Sequence, residues 1–314
     1  MRFLVHGSVA YDQLLGHDGS FVDGIDPKNL KSLSVGYVAQ RYARHHGGTA
    51  ANIAWNLRLL GHTPVVVGTV GNDGGPYLEL LRERGVDTTY IQTLDDCLTA
   101  TAIIATDNAA HQITFFYPGA DAKGTLPSLA DERDDVAYAI VAPRDASTML
   151  AAARQSKKDG IPFLFDPGQQ SLQFGRDEFR AAVAASNGLI VNAYEWALAT
   201  ARLEWNADKV VEECGLLVVT QGENGATLQS AKEIALVKAC PPDRLVNPVG
   251  AGDAFRAGLL MGLAKKWSLT DSGRLGAVLG SLVVAQEGAL LESLDVDDVR
   301  NKAQAAYGEE LPKF

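Results

Sequence analysis

Short apolar segments of strand length alternate with helix-patterned segments along most of this 314-residue chain, and this alternation constrains its fold most strongly. Six segments are rich in Val, Ile, Leu and Ala and have the character of strands buried on both faces: Phe3–Gly7, Pro64–Val70, Ala137–Ala142, Pro162–Asp166, Leu189–Asn192 and Leu216–Thr220. Five segments between them carry a helical pattern: Thr49–Leu60, Tyr77–Arg84, Thr148–Lys158, Asp177–Ser186 and Tyr194–Arg202. The order predicts a doubly wound, mostly parallel α/β sheet with helices on both faces.

Two stretches interrupt this alternation. Residues 12–46 have little helical periodicity and contain several Gly, Asp and Ser. Thr99–Thr106 and Gln112–Tyr117 have the pattern of two strands joined by a short loop that contains Asp107-Asn108-Ala109-Ala110, which predicts a hairpin. Because the sequence has no low-complexity linker and no internal repeat, we expect one domain over residues 1–314. Its small β lid is expected from residues of about 12–46 and 97–120.

The charge balance limits the classes of partner. The chain has 28 Lys and Arg against 38 Asp and Glu, a net charge of −10, whereas nucleic acids and anionic membranes select basic surfaces. No apolar run approaches the roughly 18 residues that cross a bilayer, and the N-terminal apolar stretch is too short for a signal peptide. The three cysteines lack metal-ligand spacing. We expect a cytoplasmic protein that acts on small molecules.

The segment 247–258 carries the clearest chemical signal. The small residues Gly250, Ala251 and Gly252 allow a tight turn in which successive N–H groups converge on one point. The helix predicted to follow directs the positive end of its dipole to the same point, which suits an anion. Asp253, beside this turn, can accept a proton from a hydroxyl group that attacks phosphorus.

Residue types alone leave other interpretations of this turn open. A Gly-Ala-Gly-Asp run is more commonly a tight turn in which Asp caps a helix. The chain contains no Walker A sequence, and Phe255 occupies the third glycine position of a dinucleotide-binding motif. Those two nucleotide-binding loops are therefore excluded, and the turn itself stays ambiguous.

A second glycine motif, Gly47-Gly48-Thr49-Ala50-Ala51-Asn52, makes the pair of motifs distinctive. The chain resembles the ribokinase-like (PfkB) carbohydrate and nucleoside kinases. Their N-terminal signature is Gly-Gly-x-x-x-Asn and their C-terminal signature ends in Gly-Ala-Gly-Asp. The resemblance extends over nearly the whole chain. It implies a ribokinase-like fold, ATP and Mg²⁺ as cosubstrate and metal, and phosphoryl transfer to an alcohol with Asp253 as the base.

The resemblance also implies where the acceptor binds. Gly47, Gly48 and Asn52 match the acceptor site of the family, and Asp12 matches the acidic residue that holds two substrate hydroxyls. Without the resemblance, the glycine pair would be a plain helix entry and Asp12 a solvated loop carboxylate.

Two further matches concern the nucleotide. Asn192 and Glu195 fit the family's Asn-x-x-Glu motif, whose Glu acts on Mg²⁺ and phosphate largely through water. The same spacing also fits a capping box, and both interpretations can hold. Thr220, Gly222 and Gly225 resemble the family's turn beside ATP, although alone they would indicate a hairpin loop.

Residues near these motifs favour a nucleoside acceptor. The run Asp-Ala-Phe-Arg-Ala-Gly, which contains Arg256, resembles bacterial and archaeal adenosine and nucleoside kinases more than most sugar kinases. Gln169, in the Asp-Pro-Gly-Gln-Gln run at 166–170, resembles the same subgroup, and we expect both side chains to contact the acceptor. Phe116, in the second strand of the predicted hairpin, can stack on a purine, although strand aromatics more often serve packing. We predict an adenosine kinase that makes AMP. The alternatives are a sugar kinase acting on fructose, ribose or 2-keto-3-deoxygluconate, and a binding protein without turnover.

Two properties are left open by the sequence. Asn247 stands where many family members carry Asp, and a neutral amide weakens a cation site, so dependence on K⁺ is uncertain. The exposed strands of a lid also allow a homodimer formed through the lid.

Overall fold

The predicted apolar segments form the centre of one large sheet. The computed structural model describes residues 1–25, 34–129 and 135–314. In these residues the large sheet has nine strands, in the spatial order β13-β12-β11-β10-β9-β8-β1-β4-β5. Their bounds are β1 Arg2–His6, β4 Thr63–Gly71, β5 Asp87–Leu94, β8 Val136–Val141, β9 Phe163–Phe165, β10 Leu189–Asn192, β11 Leu216–Thr220, β12 Ala226–Ser230 and β13 Ile234–Val237.

Strand pairing confirms the predicted parallel arrangement. All neighbours from β5 to β11 run parallel, and only β12 and β13 at one edge are antiparallel. The sequence did not predict β5, β12 and β13, because these strands at or next to the sheet edges mix buried with partly or fully exposed residues and lack a continuous apolar run.

Helices cover both faces of this sheet, as predicted. Alternate residues of β1 show the two layers: Phe3 and Val5 pack in one core, and Leu4 packs in the other. The helix bounds are α1 Thr49–Leu59, α2 Gly75–Glu83, α3 Ala146–Asp159, α4 Arg176–Ala185, α5 Ala193–Leu203, α6 Ala207–Cys214, α7 Ala251–Ala264, α8 Leu269–Val283 and α9 Val296–Tyr307. The first core contains side chains of α1, α2 and α7, and the second contains side chains of α3 to α6.

A second, smaller sheet forms the lid. Its strands are β2 Ala10–Gly16, β3 Arg41–Gly47, β6 Ala100–Thr106 and β7 Gln112–Tyr117, in the order β3-β2-β6-β7. The strands β6 and β7 form the predicted antiparallel hairpin, and β2 joins them by pairing parallel with β6. Of the predicted lid segment 12–46, residues 26–33 lie outside the described residues. The prediction of a small β lid is confirmed, whereas the predicted lid bounds and the organisation as one domain stay predictions.

Two other sequence features have structural counterparts. Within the described ranges, no helix has the length and apolar character needed to cross a membrane. Cys97, Cys214 and Cys240 are buried free thiols, and burial raises the pKa of each of them.

Candidate active site

The Gly-Ala-Gly turn begins helix α7. Gly250 caps the helix with a φ of 85°, and a Cβ there would lie 2.5 Å from the Cβ of Ala289, so only glycine fits. Asp253 is in the first turn of α7. The first N–H groups of a helix have no acceptor within it, and the helix dipole adds positive potential there. The turn therefore has the donors that an anion requires.

The two glycine motifs meet through one hydrogen bond. Asn52 Nδ2 donates to Asp253 Oδ2 over 2.8 Å, although the residues are 201 positions apart. Asn52 lies in the first turn of α1, whose N-cap is Gly48. In the part of the chain that the structure describes, the buried Asn52 Oδ1 has no hydrogen-bond partner, so it can accept a hydrogen bond from a ligand hydroxyl.

The surroundings of Asp253 suit a proton acceptor. Burial raises its pKa from 3.8 to about 6, while Arg256 and the hydrogen bond from Asn52 act in the opposite direction. The carboxylates of Asp166 and Asp12 also raise it. A general base whose pKa lies near the working pH combines the deprotonated form with useful basicity.

Asp12 reaches the site from the lid. It lies on β2, a strand and not the loop that residue types alone suggest, and it is half-buried. A Cβ on Gly47 would collide with Asp12 Oδ2, so the glycine allows the carboxylate to approach the Gly47-Gly48 turn. The Tyr77 hydroxyl donates to the Gly47 carbonyl over 2.9 Å and fixes this turn. Burial raises the pKa of Asp12.

The register of the lid sheet places Phe116 on the same face as Asp12. Asp12 pairs with Ala102 on β6, and Ala102 pairs with Phe116 on β7. Directly paired residues project to the same face, and strands lie about 4.8 Å apart, so Phe116 is about 10 Å from Asp12. Phe116 is 54% exposed. Phe115 and Tyr117 project to the opposite face.

A cleft of about 690 Å³ lies where β10 and β11 end, a size within the range of ligand pockets. Asn192 and Thr220, which are paired in register, line it together with Gly222. Gly225 lies behind them, where its N–H closes the hairpin by donating to the Gly222 carbonyl. Sequence reasoning missed four lining residues that are interleaved with these motifs: Ala193, Tyr194, Gln221 and Asn224.

Glu195 forms the predicted capping box. Its Oε2 accepts from the Asn192 N–H, and its own N–H donates to Asn192 Oδ1, both over 2.8 Å. Oε1 faces Gly168, and burial raises the pKa of this carboxyl, with Asp166 adding to the effect. The described residues contain no group of three or more His, Cys, Asp or Glu that could hold a metal. This donor set fits Mg²⁺ carried largely by phosphates and water, which needs only one or two carboxylates.

The remaining predicted acceptor contacts lie next to this site. Arg256 is buried and its guanidinium donates to Asp166 and, over 3.0 Å, to the Gly252 carbonyl. Gln169 is exposed on a short 3-10 helix that spans Gly168–Leu172. That these two side chains contact the acceptor stays a prediction.

Several known proteins with a similar sequence or structure are kinases. The family model described as pfkB family carbohydrate kinase matches residues 21–295. The nucleoside kinase of Methanothermobacter thermautotrophicus is 30% identical over 281 residues, covering 87% of this chain and 89% of that protein. The ATP-dependent 6-phosphofructokinase of Thermoanaerobacterium thermosaccharolyticum is 26% identical over 282 residues, covering 84% of this chain and 87% of that protein.

The structural similarity extends over the whole chain. Burkholderia thailandensis nucleoside kinase in complex with inosine has a TM-score of 0.88 at 31% identity, covering 99% of this chain and 100% of that chain. The same enzyme in complex with ADP-inosine has a TM-score of 0.86 and covers 99% of this chain and 98% of that chain. The chain therefore belongs to the pfkB family of carbohydrate kinases and is a phosphotransferase whose acceptor is an alcohol group.

Proposed function

We propose that this kinase transfers the γ-phosphate of ATP to the 5′-hydroxyl of adenosine, giving AMP and ADP. The observation that carries the nucleoside assignment is the row from Asp12 to Phe116 across one face of the lid. If Asp12 holds ribose hydroxyls, an aromatic ring about 10 Å away lies where the base of a nucleoside extends and beyond the reach of a simple sugar. The similarity to nucleoside kinases supports the same acceptor class.

The acceptor half of the site orients the acceptor and supplies the general base. Asp12 and the Asn52 Oδ1 accept hydrogen bonds from the ribose hydroxyls, and the Gly47-Gly48 backbone lies against the sugar. The 5′-oxygen attacks the γ-phosphorus while Asp253 takes its proton, and the bond from phosphorus to the β,γ-bridging oxygen breaks to release ADP. Gln169, exposed beside this site, is proposed as a further contact of the adenine ring.

The nucleotide half supplies electrostatic stabilisation. ATP occupies the cleft lined by Asn192, Thr220 and Gly222, with Gly225 supporting the loop. The N–H groups of the 250–252 turn and the dipole of α7 stabilise the charge on the transferring phosphoryl group. Glu195 would hold Mg²⁺ through water, and the bound metal would neutralise phosphate charge.

A sugar is the second candidate acceptor. The similarity to a 6-phosphofructokinase favours it, and a set of hydroxyl acceptors such as Asp12 and Asn52 serves a ketose as well as a ribose. The two candidates differ in their need for Phe116, since only a nucleoside has a base to stack on the ring.

An acceptor screen tests the proposal. ATP consumption with Mg²⁺ is measured for adenosine, inosine, guanosine, cytidine, ribose, fructose and 2-keto-3-deoxygluconate at equal concentration, with and without K⁺. We expect the highest kcat/KM with adenosine. Turnover mainly on a free sugar would contradict the nucleoside assignment while leaving the roles of Asp253 and the glycine turn unchanged.

A further inference from the structure

An arginine–aspartate pair lies beside the glycine turn. Arg256 and Asp166 are 90 residues apart, and their side chains are only 9% and 1% exposed. Arg256 Nε donates to Asp166 Oδ2, and Nη2 donates to Oδ1 over 3.1 Å. A two-point contact between a guanidinium and a carboxylate fixes the orientation of both groups.

The same guanidinium also holds the turn. Arg256 Nη1 donates to the carbonyl of Gly252 over 3.0 Å, and a Cβ on Gly252 would lie 2.9 Å from Nη1. Asp166 is fixed in turn, because its N–H donates to the Val141 carbonyl at the end of β8 over 2.9 Å. The pair therefore connects the first turn of α7 to the ends of two central strands.

The charge of the pair acts on the proposed base. Arg256 lowers the pKa of Asp253, whereas Asp166 raises it. Among the residues that the structure describes, groups on three further elements act on Asp253: Asn52 on α1, Asp12 on β2 and Tyr77 on α2. A buried ion pair contributes little to stability compared with apolar packing, so its place beside the reacting carboxylate indicates a functional role.

Building on the kinase function above, we propose that Arg256 and Asp166 are positioning residues. The pair holds the Gly252 carbonyl and the first turn of α7, so that Asp253 and the N–H groups of the turn keep their orientation toward the reacting atoms. In this role Arg256 acts through Gly252 and Asp253, in place of the direct acceptor contact that the family resemblance implies.

Replacement of the arginine tests the proposal. Arg256→Met is expected to lower kcat about 10- to 100-fold with the acceptor KM within about threefold, because small displacements of reacting groups cost this much. The acid limb of the kcat/KM profile moves to higher pH, since Asp253 loses its neighbouring cation. Arg256→Lys keeps the charge without the two-point contact, so it restores the acid limb and leaves kcat reduced.

A matched control comes from a second buried pair. Arg144 Nε lies 3.2 Å from Asp121 Oδ1, and these side chains are 1% and 4% exposed. Arg144→Met removes an equally buried arginine that does not contact the α7 turn, and we expect the acid limb to stay at the wild-type pH. A shift as large as that of Arg256→Met would show that the effect is one of general destabilisation.

Two results in Arg256→Met would overturn the proposal, and a second variant carries the test if Arg256→Met does not fold. A tenfold or greater rise in acceptor KM at unchanged kcat in Arg256→Met would make Arg256 an acceptor contact and overturn the proposal. Wild-type kcat together with a wild-type acid limb would overturn it as well. Where Arg256→Met does not fold, Asp166→Asn carries the test: kcat falls, and the acid limb moves to lower pH because a neighbouring negative charge is lost.

The test is separable from the proposed function. Carbon-13 NMR follows the titration of the Asp253 carboxyl in the free protein, with its signal assigned by Asp253→Asn. If the wild-type protein phosphorylates no acceptor, the proposed function fails. A higher pKa of Asp253 in Arg256→Met would still support the positioning role of Arg256 and Asp166. An unchanged pKa of Asp253 in Arg256→Met counts against this positioning role even where the enzyme is active.

Discussion

The lid and the carboxyl edge of the large sheet contribute to the same candidate site but are built differently. The carboxyl edge is where the central strands β8 and β9 end and helix α7 begins. At the edge, Arg256 and Asp166 are buried, and Asp253 is held by Asn52. In the lid, the side chains of β7 are mostly exposed, with Phe116 at 54%. Rigid surroundings suit groups that take part in bond making, whereas an open aromatic surface suits contact with a variable part of the acceptor. Changes at the edge should therefore reduce kcat, and changes in the lid should alter KM and acceptor choice.

The largest expected effect is at the edge. Asp253→Asn keeps the shape of the side chain and removes the proton acceptor, so kcat should fall about 10²- to 10⁴-fold. Steady-state kinetics with adenosine measures this, and circular dichroism checks that the variant is folded. Near-wild-type kcat in the folded variant would remove Asp253 from the role of base.

The second effect concerns the connection between the lid and the large sheet. Arg144 pairs with Asp121, which follows β7 in the 3-10 helix Gly119–Ala122. Arg144→Met leaves the Asp121 charge buried without its partner, so the free energy of unfolding should fall by about 3–5 kcal/mol. Urea unfolding measures it. A fall in the free energy of unfolding of less than about 1 kcal/mol would show that this pair is not needed to hold the 3-10 helix that follows β7.

The third effect is in the lid itself. Phe116→Ala should raise the KM for adenosine about 5- to 150-fold at nearly unchanged kcat, since stacking of a base on an aromatic ring contributes about 1–3 kcal/mol. Phe115→Ala is the matched control, because Phe115 is on the same strand and 68% exposed but projects to the opposite face. Equal rises in the KM for adenosine in the two variants would show that acceptor binding does not depend on which face of the lid carries the ring.

The smallest effect comes from pH. Burial raises the pKa of Asp253 to about 6, and the base acts when deprotonated, so activity is lost as pH falls through this value. Between pH 7.5 and pH 5, kcat/KM should decrease about tenfold. A pH-rate profile measures the limb. A profile that stays flat down to pH 5 would mean that the carboxyl is not the titrating base.

Local patterns predicted the buried centre of the fold well. The strand Leu216–Thr220 and the hairpin of β6 and β7 agree with the structure because each has a continuous or alternating apolar pattern. The strand β3 was missed, since its sequence Arg-Tyr-Ala-Arg-His-His-Gly is polar on both faces and shows no such pattern. Edge strands of this kind gain their stability from pairing, which a single sequence does not show.

The sequence singled out candidate site residues only where a motif contains them, and their roles stay predictions. The family motifs predicted Asn52 and Asp253, yet their direct hydrogen bond joins residues 201 positions apart and has no local signal. The pairing of Arg256 with Asp166 was missed for the same reason. The alignment of Asp12 with Phe116 depends on strand register, where a slip of one residue exchanges the two faces of a strand.

Identification of the product tests the central claim most directly. The wild-type protein and Asp253→Asn are incubated with ATP, Mg²⁺ and adenosine, and the nucleotides are separated and identified by mass and by phosphorus-31 NMR. We predict 5′-AMP and ADP in equal amounts from the wild-type protein and at least 100-fold slower formation by the folded variant. No AMP from the wild-type protein, or equal rates from both proteins, would contradict the account.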